Sequence, residues 1–204
     1  MLDQVRERVH EQAALRREVE GSTAEQLRLG EEMLQPNEFA YFAYGSNMSE
    51  PRLAQRVNPF RRIAIGYLDG YRLTFDKVSV DGSGKCDCEH TGAAGHRVWG
   101  VVFAMDVGKQ AALDKAEGVG SGYDRHKIEL PADIGVITAV TYFATRKKPG
   151  LSPYRWYKDH VLFGARAAQL PPEYIAAIEA IASMEDQKPG RADEQLAVYK
   201  NVLL

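Results

Sequence analysis

Apolar residues along the chain fall into short strand-like runs that are separated by polar turns. Residues 39–44 are aromatic or small and predict a short buried strand. Alternating apolar positions on both sides of Gly70, over residues 61–76, predict a β-hairpin. The eight apolar or small residues at 98–105 predict a central buried strand. Two more strands are expected around a turn at residues 131–135.

Helix signals lie at the corners between these strands and near the C-terminal end. Ser49 is a typical N-cap, and Pro51 suits the first turn of the helix that follows it. Further helices are predicted over residues 108–116 and 156–169, and another begins after Pro171. Strands and helices do not alternate regularly, so we expect an α+β fold with a curled, barrel-like sheet.

The chain is expected to consist of a helical extension, residues 1–36, followed by one domain, residues 37–204. The first 35 residues are rich in charge and contain no aromatic side chain. Within them, Leu2, Val5 and Val9 lie at helical spacing. Two roles are open for this extension: a solvated lid over the domain, or a contact in a homodimer.

Composition and charge limit the classes of partner that the protein is expected to bind. Of 204 residues, 45% are hydrophobic and 26% are charged, and the formal net charge is −2. This charge argues against nucleic acid or a membrane surface as a partner. No apolar run has the length of a transmembrane helix, and the N-terminus lacks the apolar core of a signal peptide. We therefore expect a cytoplasmic protein.

Two stretches contain ligand-like residues whose spacing does not favour a ligand. Residues 81–85 are glycine-rich and end in lysine, but they lack the spacing and the strand–loop–helix context of a phosphate-binding loop. Cys86, Cys88, His90 and His96 are of zinc-ligand types. Their close spacing suits alternate positions of one strand better than a tetrahedral site, so we expect no metal. A disulfide between the two cysteines is geometrically awkward, which favours a reducing compartment.

The first candidate site is the turn after the strand at 39–44. Gly45 permits positive φ, and Asn47 tolerates left-handed geometry better than most residues. A strand, a tight turn and a helix start leave several backbone N–H groups pointing outward together, which suits an anion or a developing oxyanion. On turn chemistry alone, an ordinary strand-to-helix corner is the commoner explanation.

The second candidate is Glu117, at the end of the helix predicted over residues 108–116. Three glycines follow it within five residues. A carboxylate at the negative end of a helix dipole is placed against its electrostatic preference, which favours a functional role. Most glutamates are solvated surface residues, and from its position alone that explanation is the commoner one.

Several segments together resemble the γ-glutamylcyclotransferase family. The string YFAYGSNM at residues 41–48 resembles its opening signature. The string LDKAEGV at residues 113–119 resembles the segment that carries the family's essential acid, and VWGVV at residues 98–102 resembles the strand before it. Tyr142, and Tyr157 with the Gly-Ala that follows it, match in order and spacing. The similarity runs from about residue 39 to residue 181 and leaves out the first 35 residues.

This resemblance implies a small mixed β-barrel with helices packed around it and an open end that holds the site. It implies release of 5-oxoproline from a small γ-glutamyl compound, without a cofactor. Glu117 would be the catalytic base and acid, and the backbone at residues 45–47 would hold the oxyanion. Tyr44, Tyr142 and Tyr157 would line the pocket and bind the α-carboxylate. The residues expected to bind the substrate are Tyr41, Phe42, Ala43, Tyr44, Gly45, Ser46, Asn47, Tyr142 and Tyr157.

Two departures from the family pattern concern the substrate. Tyr154 follows Pro153 where members commonly have Pro-Ser, and the gap from Glu117 to Tyr123 looks one residue shorter than in animal members. The leaving group is therefore open: a dipeptide's amino acid, the ε-amine of a lysine, or an amine in a biosynthetic intermediate. The alternative from another class is a non-catalytic binding module that keeps the pocket, and the presence of Glu117 argues against it.

Overall fold

The computed structural model describes residues 32–200. Nearly all of the predicted extension, residues 1–36, therefore lies outside the described residues, and its helices and the domain division stay predictions. The strands are β1 (Glu38–Ala43), β2 (Arg61–Asp69), β3 (Tyr71–Val78), β4 (Gly84–His90), β5 (Arg97–Asp106), β6 (Tyr123–Ala132) and β7 (Gly135–Ala144). The helices are α1 (Glu50–Ala54), α2 (Gln110–Glu117), α3 (Arg155–Ala167), α4 (Pro172–Ala180) and α5 (Arg191–Leu196).

Five strands close into a barrel in the order β1-β5-β2-β6-β7. The barrel is mixed, because β7 meets β1 in parallel, with Tyr41 opposite Val140, whereas the other neighbours are antiparallel. The central strand predicted at residues 98–105 lies within β5, between β1 and β2. The predicted α+β class with a small mixed barrel and surrounding helices is confirmed.

The β-hairpin predicted around Gly70 is wrong. Two strands do flank Gly70, which has the positive φ of 75° that a tight turn needs. However, β2 pairs with β5 and β6, while β3 pairs with β4 in a separate two-stranded sheet. The carbonyl of Gly70 accepts the backbone N–H groups of Thr91 and Gly92 instead of closing a ladder across its own turn. The turn therefore carries the chain from the barrel to the side sheet.

The core is built from side chains of the barrel strands and of helix α2, which carries the second candidate residue, Glu117, at its end. Phe42, Phe103, Leu130 and Ile137 are essentially inaccessible to solvent. Leu113 of α2 is also fully buried, which fixes that helix against the barrel. Burial of each such side chain contributes about 1.5–3 kcal/mol, so the end of α2 is held by packing rather than by its own short length.

The helix predicted after Ser49 is present as Glu50–Ala54, with Ser49 at the N-cap position. Pro51 lies in its first turn, as predicted. The Ser49 side chain does not cap the helix; its hydroxyl instead lies 2.8 Å from the hydroxyl of Tyr199. A residue near the C-terminal end, remote in sequence, therefore takes the hydrogen bond that sequence reasoning assigned to the cap.

Helix α3 packs closely against the 3-10 turn Ser46–Met48, which follows β1. The contact is close because Gly164 has no side chain. A Cβ atom there would lie 2.5 Å from the backbone nitrogen of Ser49 and 2.6 Å from Met48. The glycine thus permits α3 to support the turn from behind.

Replacing Gly164 with alanine is expected to destabilise the protein by about 1–3 kcal/mol, because the added methyl group has no space. Thermal unfolding of Gly164→Ala beside Arg166→Ala, an exposed position on the same helix, checks this. Alanine favours helices by nearly 1 kcal/mol over glycine, so an unchanged or raised melting temperature would contradict the close contact.

Candidate active site

A cavity of about 210 Å³ lies where the turn after β1, the end of α2 and the side sheet meet. Nine of the ten residues predicted for the site line it: Tyr41, Phe42, Tyr44, Gly45, Ser46, Asn47, Glu117, Tyr142 and Tyr157. Ala43 does not; it is buried in the core, paired with Val101 of β5. The other lining residues are Arg52, Arg56, Lys77, Ser79, Lys85, Cys86, Ala116, Tyr123 and Thr141.

Glu117 is the last residue of α2, and Gly118 ends the helix in the left-handed conformation with φ of 67°. Its side chain is only 12% exposed. Oε1 accepts a hydrogen bond of 2.6 Å from Nδ2 of Asn47 and one of 3.5 Å from the hydroxyl of Tyr41. No donor among residues 32–200 reaches Oε2, so this oxygen is available to a bound molecule.

Asn47 connects Glu117 to a cation. Its Oδ1 accepts a hydrogen bond of 3.0 Å from Nη1 of Arg56, which fixes the amide so that Nδ2 faces Glu117 and Tyr41. Nη1 of Arg56 also lies 3.9 Å from Oε1 of Glu117. The side chain of Asn47 is itself buried, so the turn after β1 and the end of α2 are tied together away from bulk water.

Burial raises the pKa of the Glu117 carboxyl above the ordinary value of 4.5. Arg56, Lys77 and Arg52, together with the hydrogen bond from Tyr41, act in the opposite direction but do not cancel it. A carboxylate with a raised pKa is a stronger base than an exposed one and a better proton donor nearer to neutral pH.

The turn itself supplies free donors. Gly45 precedes the 3-10 turn, and the backbone N–H groups of Ser46 and Asn47 donate to no acceptor within the described chain. Both residues line the cavity. Two residues of the cavity wall therefore carry backbone N–H groups without an acceptor in residues 32–200, and their use as oxyanion donors stays a prediction.

The three tyrosines predicted to bind a carboxylate differ in what their hydroxyl groups do. The Tyr44 hydroxyl donates to the backbone carbonyl of Tyr142. The Tyr142 hydroxyl donates to Oδ1 of Asp114 at 2.7 Å, and Asp114 does not line the cavity. The Tyr157 hydroxyl accepts the backbone N–H of Cys86 at 3.1 Å. Tyr44 and Tyr142 thus have protein partners for their protons, and carboxylate binding by these tyrosines stays a prediction.

Sequence reasoning missed the four cationic residues of the wall: Arg52, Arg56, Lys77 and Lys85. The two arginines had a signal, because they lie four residues apart directly after the signature, which is the spacing of one helical face, although the helix itself ends at Ala54. Lys77 had none, since its placement follows from an irregularity in β3. Tyr154, the departure from the family pattern, does not line the cavity; its ring lies behind Lys85, 5.6 Å from the ammonium.

The cysteines and histidines considered as zinc ligands differ in their exposure to solvent. Cys86 and Cys88 are buried in β4 as free thiols, whereas His90 and His96 are exposed. In the part of the chain that the structure describes, no three His, Cys, Asp or Glu side chains are placed to hold a metal ion. Burial raises the pKa of the Cys86 thiol to about 12, which leaves it protonated and unreactive at neutral pH.

Comparison with known proteins agrees with this geometry. A family model described as "AIG2-like family" matches residues 97–178. The chain is 31% identical over 166 residues to the bovine (Bos taurus) gamma-glutamylcyclotransferase, covering 78% of this chain and 85% of that protein. It is 32% identical over 151 residues to the human protein of that name, covering 70% and 78%.

A solved structure named gamma-glutamyl cyclotransferase superimposes with a TM-score of 0.72 at 27% identity, covering 80% of this chain and 99% of that one. The chain therefore belongs to the γ-glutamylcyclotransferase family, and it is an enzyme, a cyclotransferase. Within residues 32–200, no helix combines the length and the apolar character that crossing a membrane requires.

The Glu117 carboxyl is expected to titrate above pH 4.5, because its burial outweighs the nearby cations. Arg56→Met should move the midpoint further upward, since Arg56 is the strongest of the groups that lower this pKa. The side-chain carboxyl carbon, followed by NMR against pH, reports both values.

Glu38 serves as the internal reference in the same spectra, because its hydrogen bond with Arg61 lowers its pKa below 4.5. Its midpoint should not respond to Arg56→Met. A Glu117 midpoint at or below 4.5, or a downward shift in the variant, would contradict the electrostatics described for the site.

Proposed function

We propose that the protein releases 5-oxoproline from a small γ-glutamyl compound by attack of the substrate's α-amine on its own γ-carbonyl. One observation carries the proposal: a buried carboxylate with one oxygen free, Oε2 of Glu117, shares a cavity with the unpaired N–H groups of Ser46 and Asn47. A base and an oxyanion site in one cavity are the two elements that this ring closure needs.

The reaction is an intramolecular acyl transfer. The α-amine nitrogen forms a bond with the γ-carbon, and the carbonyl electrons move to oxygen, which becomes an oxyanion. The electrons then return, and the bond from the γ-carbon to the leaving nitrogen breaks. The five-membered ring is the product, the leaving amine is released, and no water is consumed. Because nucleophile and electrophile belong to one molecule, the enzyme gains most by holding the folded conformer.

Glu117 moves the proton in this scheme. Its free Oε2 accepts the proton that the α-amine loses on attack and then delivers it to the leaving nitrogen. Oε1 is held by Asn47 and Tyr41, so the carboxylate keeps one orientation while the other oxygen works. A raised pKa suits both halves of the task, because the group is neither too weak a base nor too weak an acid.

The N–H groups of Ser46 and Asn47 are the proposed donors to the oxyanion. They are rigid because α3 supports the turn at Gly164 and Asn47 is held by Arg56. Preorganised donors of this kind need no rearrangement when charge develops on the oxygen. We place the reaction in the cytoplasm, which the two free thiols of Cys86 and Cys88 support.

Glu117→Gln is expected to lower kcat by about 100-fold or more, because the amide cannot accept the proton while its shape still fits the site. The measurement is 5-oxoproline release from a panel that contains γ-glutamyl dipeptides, γ-glutamyl-ε-lysine and glutathione. Calorimetry with the same compounds reports whether binding is kept.

Glu129→Gln, at an exposed position of β6, is the matched control and should turn over as the unaltered protein does. Full activity in Glu117→Gln would remove this residue from the mechanism. Absence of 5-oxoproline from every substrate, with binding retained, would favour a binding role for the cavity.

A further inference from the structure

The C-terminal segment, residues 191–199, reaches back to the helix that follows the turn after β1. It consists of α5 and a short 3-10 turn. The hydroxyl of Tyr199 lies 2.8 Å from Oγ of Ser49, and Oε1 of Gln195 accepts a hydrogen bond of 3.1 Å from Nη1 of Arg52. Ser49 occupies the N-cap position of α1, and Arg52 lies within that helix. The C-terminal segment therefore contacts α1 at two polar side chains.

His160 of α3 connects these contacts. Its Nε2 lies 2.9 Å from Nη1 of Arg52, and its Nδ1 lies 2.6 Å from the hydroxyl of Tyr199. Together with Ser49, these side chains form a chain of hydrogen bonds that begins and ends at α1. All four residues are buried, so bulk water does not compete for their polar atoms.

The chemistry of the four side chains determines the donor in each of these bonds. A guanidinium only donates, so Nε2 of His160 accepts from Arg52 and the ring proton is on Nδ1. Burial, followed by the charge of Arg52, lowers the pKa of His160 to about 2, so the ring is neutral. Its Nδ1–H therefore donates to the hydroxyl of Tyr199, which in turn donates its own proton to Ser49.

Ser49 is the joint between the turn after β1 and α1. Its backbone N–H donates to the carbonyl of Ser46 at 3.3 Å, and its carbonyl accepts the N–H of Leu53 at 2.9 Å. Arg52, at the other end of the hydrogen-bonded chain, lines the cavity. Holding this joint also holds the turn that carries the unpaired N–H groups of Ser46 and Asn47.

We propose that Tyr199 and His160 are positioning residues of the active site, through which the C-terminal segment holds the turn and its N–H groups in the geometry that the reaction needs. This inference rests on the proposed function. Neither residue lines the cavity, so both act through Ser49 and Arg52 and not by touching the substrate. A merely structural role would lower the stability of the protein and leave kcat unchanged.

The first variant is Tyr199→Phe, which removes one hydroxyl and keeps the ring that stacks on Phe163 at a centroid distance of 4.0 Å. The kcat for 5-oxoproline release should fall about 10-fold, because the turn loses a buried hydrogen-bonded support and its donors are misplaced. KM should stay within about 2-fold, since donors to an oxyanion act in the transition state.

Tyr174→Phe is the matched control. The hydroxyl of Tyr174 has no hydrogen-bond partner among the described residues, and the residue does not line the cavity. Its kcat and KM should equal those of the unaltered protein. An unchanged kcat in folded Tyr199→Phe, or an equal loss in Tyr174→Phe, would overturn the proposal.

A double-mutant cycle tests whether Tyr199 acts through Ser49. If the two residues belong to one chain of hydrogen bonds, Ser49→Ala/Tyr199→Phe should have a kcat no lower than that of Tyr199→Phe alone. Losses that multiply in the double variant would show that the two side chains act independently, which would overturn the proposed route.

Nitrogen-15 NMR of the His160 ring tests the order of donors without any substrate. At neutral pH the spectrum should show a protonated Nδ1 and an unprotonated Nε2. A ring proton on Nε2, or a doubly protonated ring, would contradict the chain from Arg52 to Ser49.

Hydrogen exchange tests the support of the turn and also needs no substrate. In Tyr199→Phe the N–H of Leu53, which donates to Ser49, should exchange about 10-fold faster, whereas the N–H of Phe103 in β5 should not change. Unchanged exchange at Leu53 would overturn the positioning role. If no γ-glutamyl compound yields 5-oxoproline, the proposed function fails, but exchange and NMR still decide whether Tyr199 and His160 hold the turn.

Discussion

The contact between the Asn47 amide and the Glu117 carboxylate is the constraint on which the site depends. It joins the turn after β1 to the end of α2, 70 residues further along the chain. Arg56 fixes the amide from one side, and the hydroxyl of Tyr41 completes the set on the other. Because this contact occupies only Oε1, it orients a buried carboxylate and leaves Oε2 without a hydrogen-bond donor among residues 32–200. An acid at the end of a short helix would otherwise turn towards water.

That contact requires the barrel to close in one particular way. β1 must lie between β5 and β7, since its turn then opens towards the cavity and α2 can pack Leu113 into the core. The strand positions could be predicted from the sequence because alternation and turn residues are local signals. Which strands pair with one another could not be predicted from these local signals. Two strands on either side of Gly70 looked like a hairpin, yet the carbonyl of Gly70 receives its hydrogen bonds from Thr91 and Gly92, and the strands belong to different sheets.

The candidate site, too, could be predicted only in part from the sequence. The signature turn and Glu117 were predictable because their residue types suit the chemistry and their order resembles a known family. Arg52 lies in the same stretch, but no local pattern shows that His160 and Gln195 hold its guanidinium, because those contacts span more than 100 residues. Lys77 depends on a register shift that only the three-dimensional pairing reveals. The cationic side chains of the cavity wall were therefore the part of the site that sequence reasoning missed.

The central claim is that the substrate's own amine, rather than water, attacks the γ-carbonyl. The most direct test is to let the protein act on γ-glutamyl-alanine in water enriched in oxygen-18 and to analyse the products by mass spectrometry. The account predicts unlabelled 5-oxoproline, with one molecule formed for each alanine released, because no water enters the reaction. Glutamate that carries the heavy oxygen would show hydrolysis and would contradict the account.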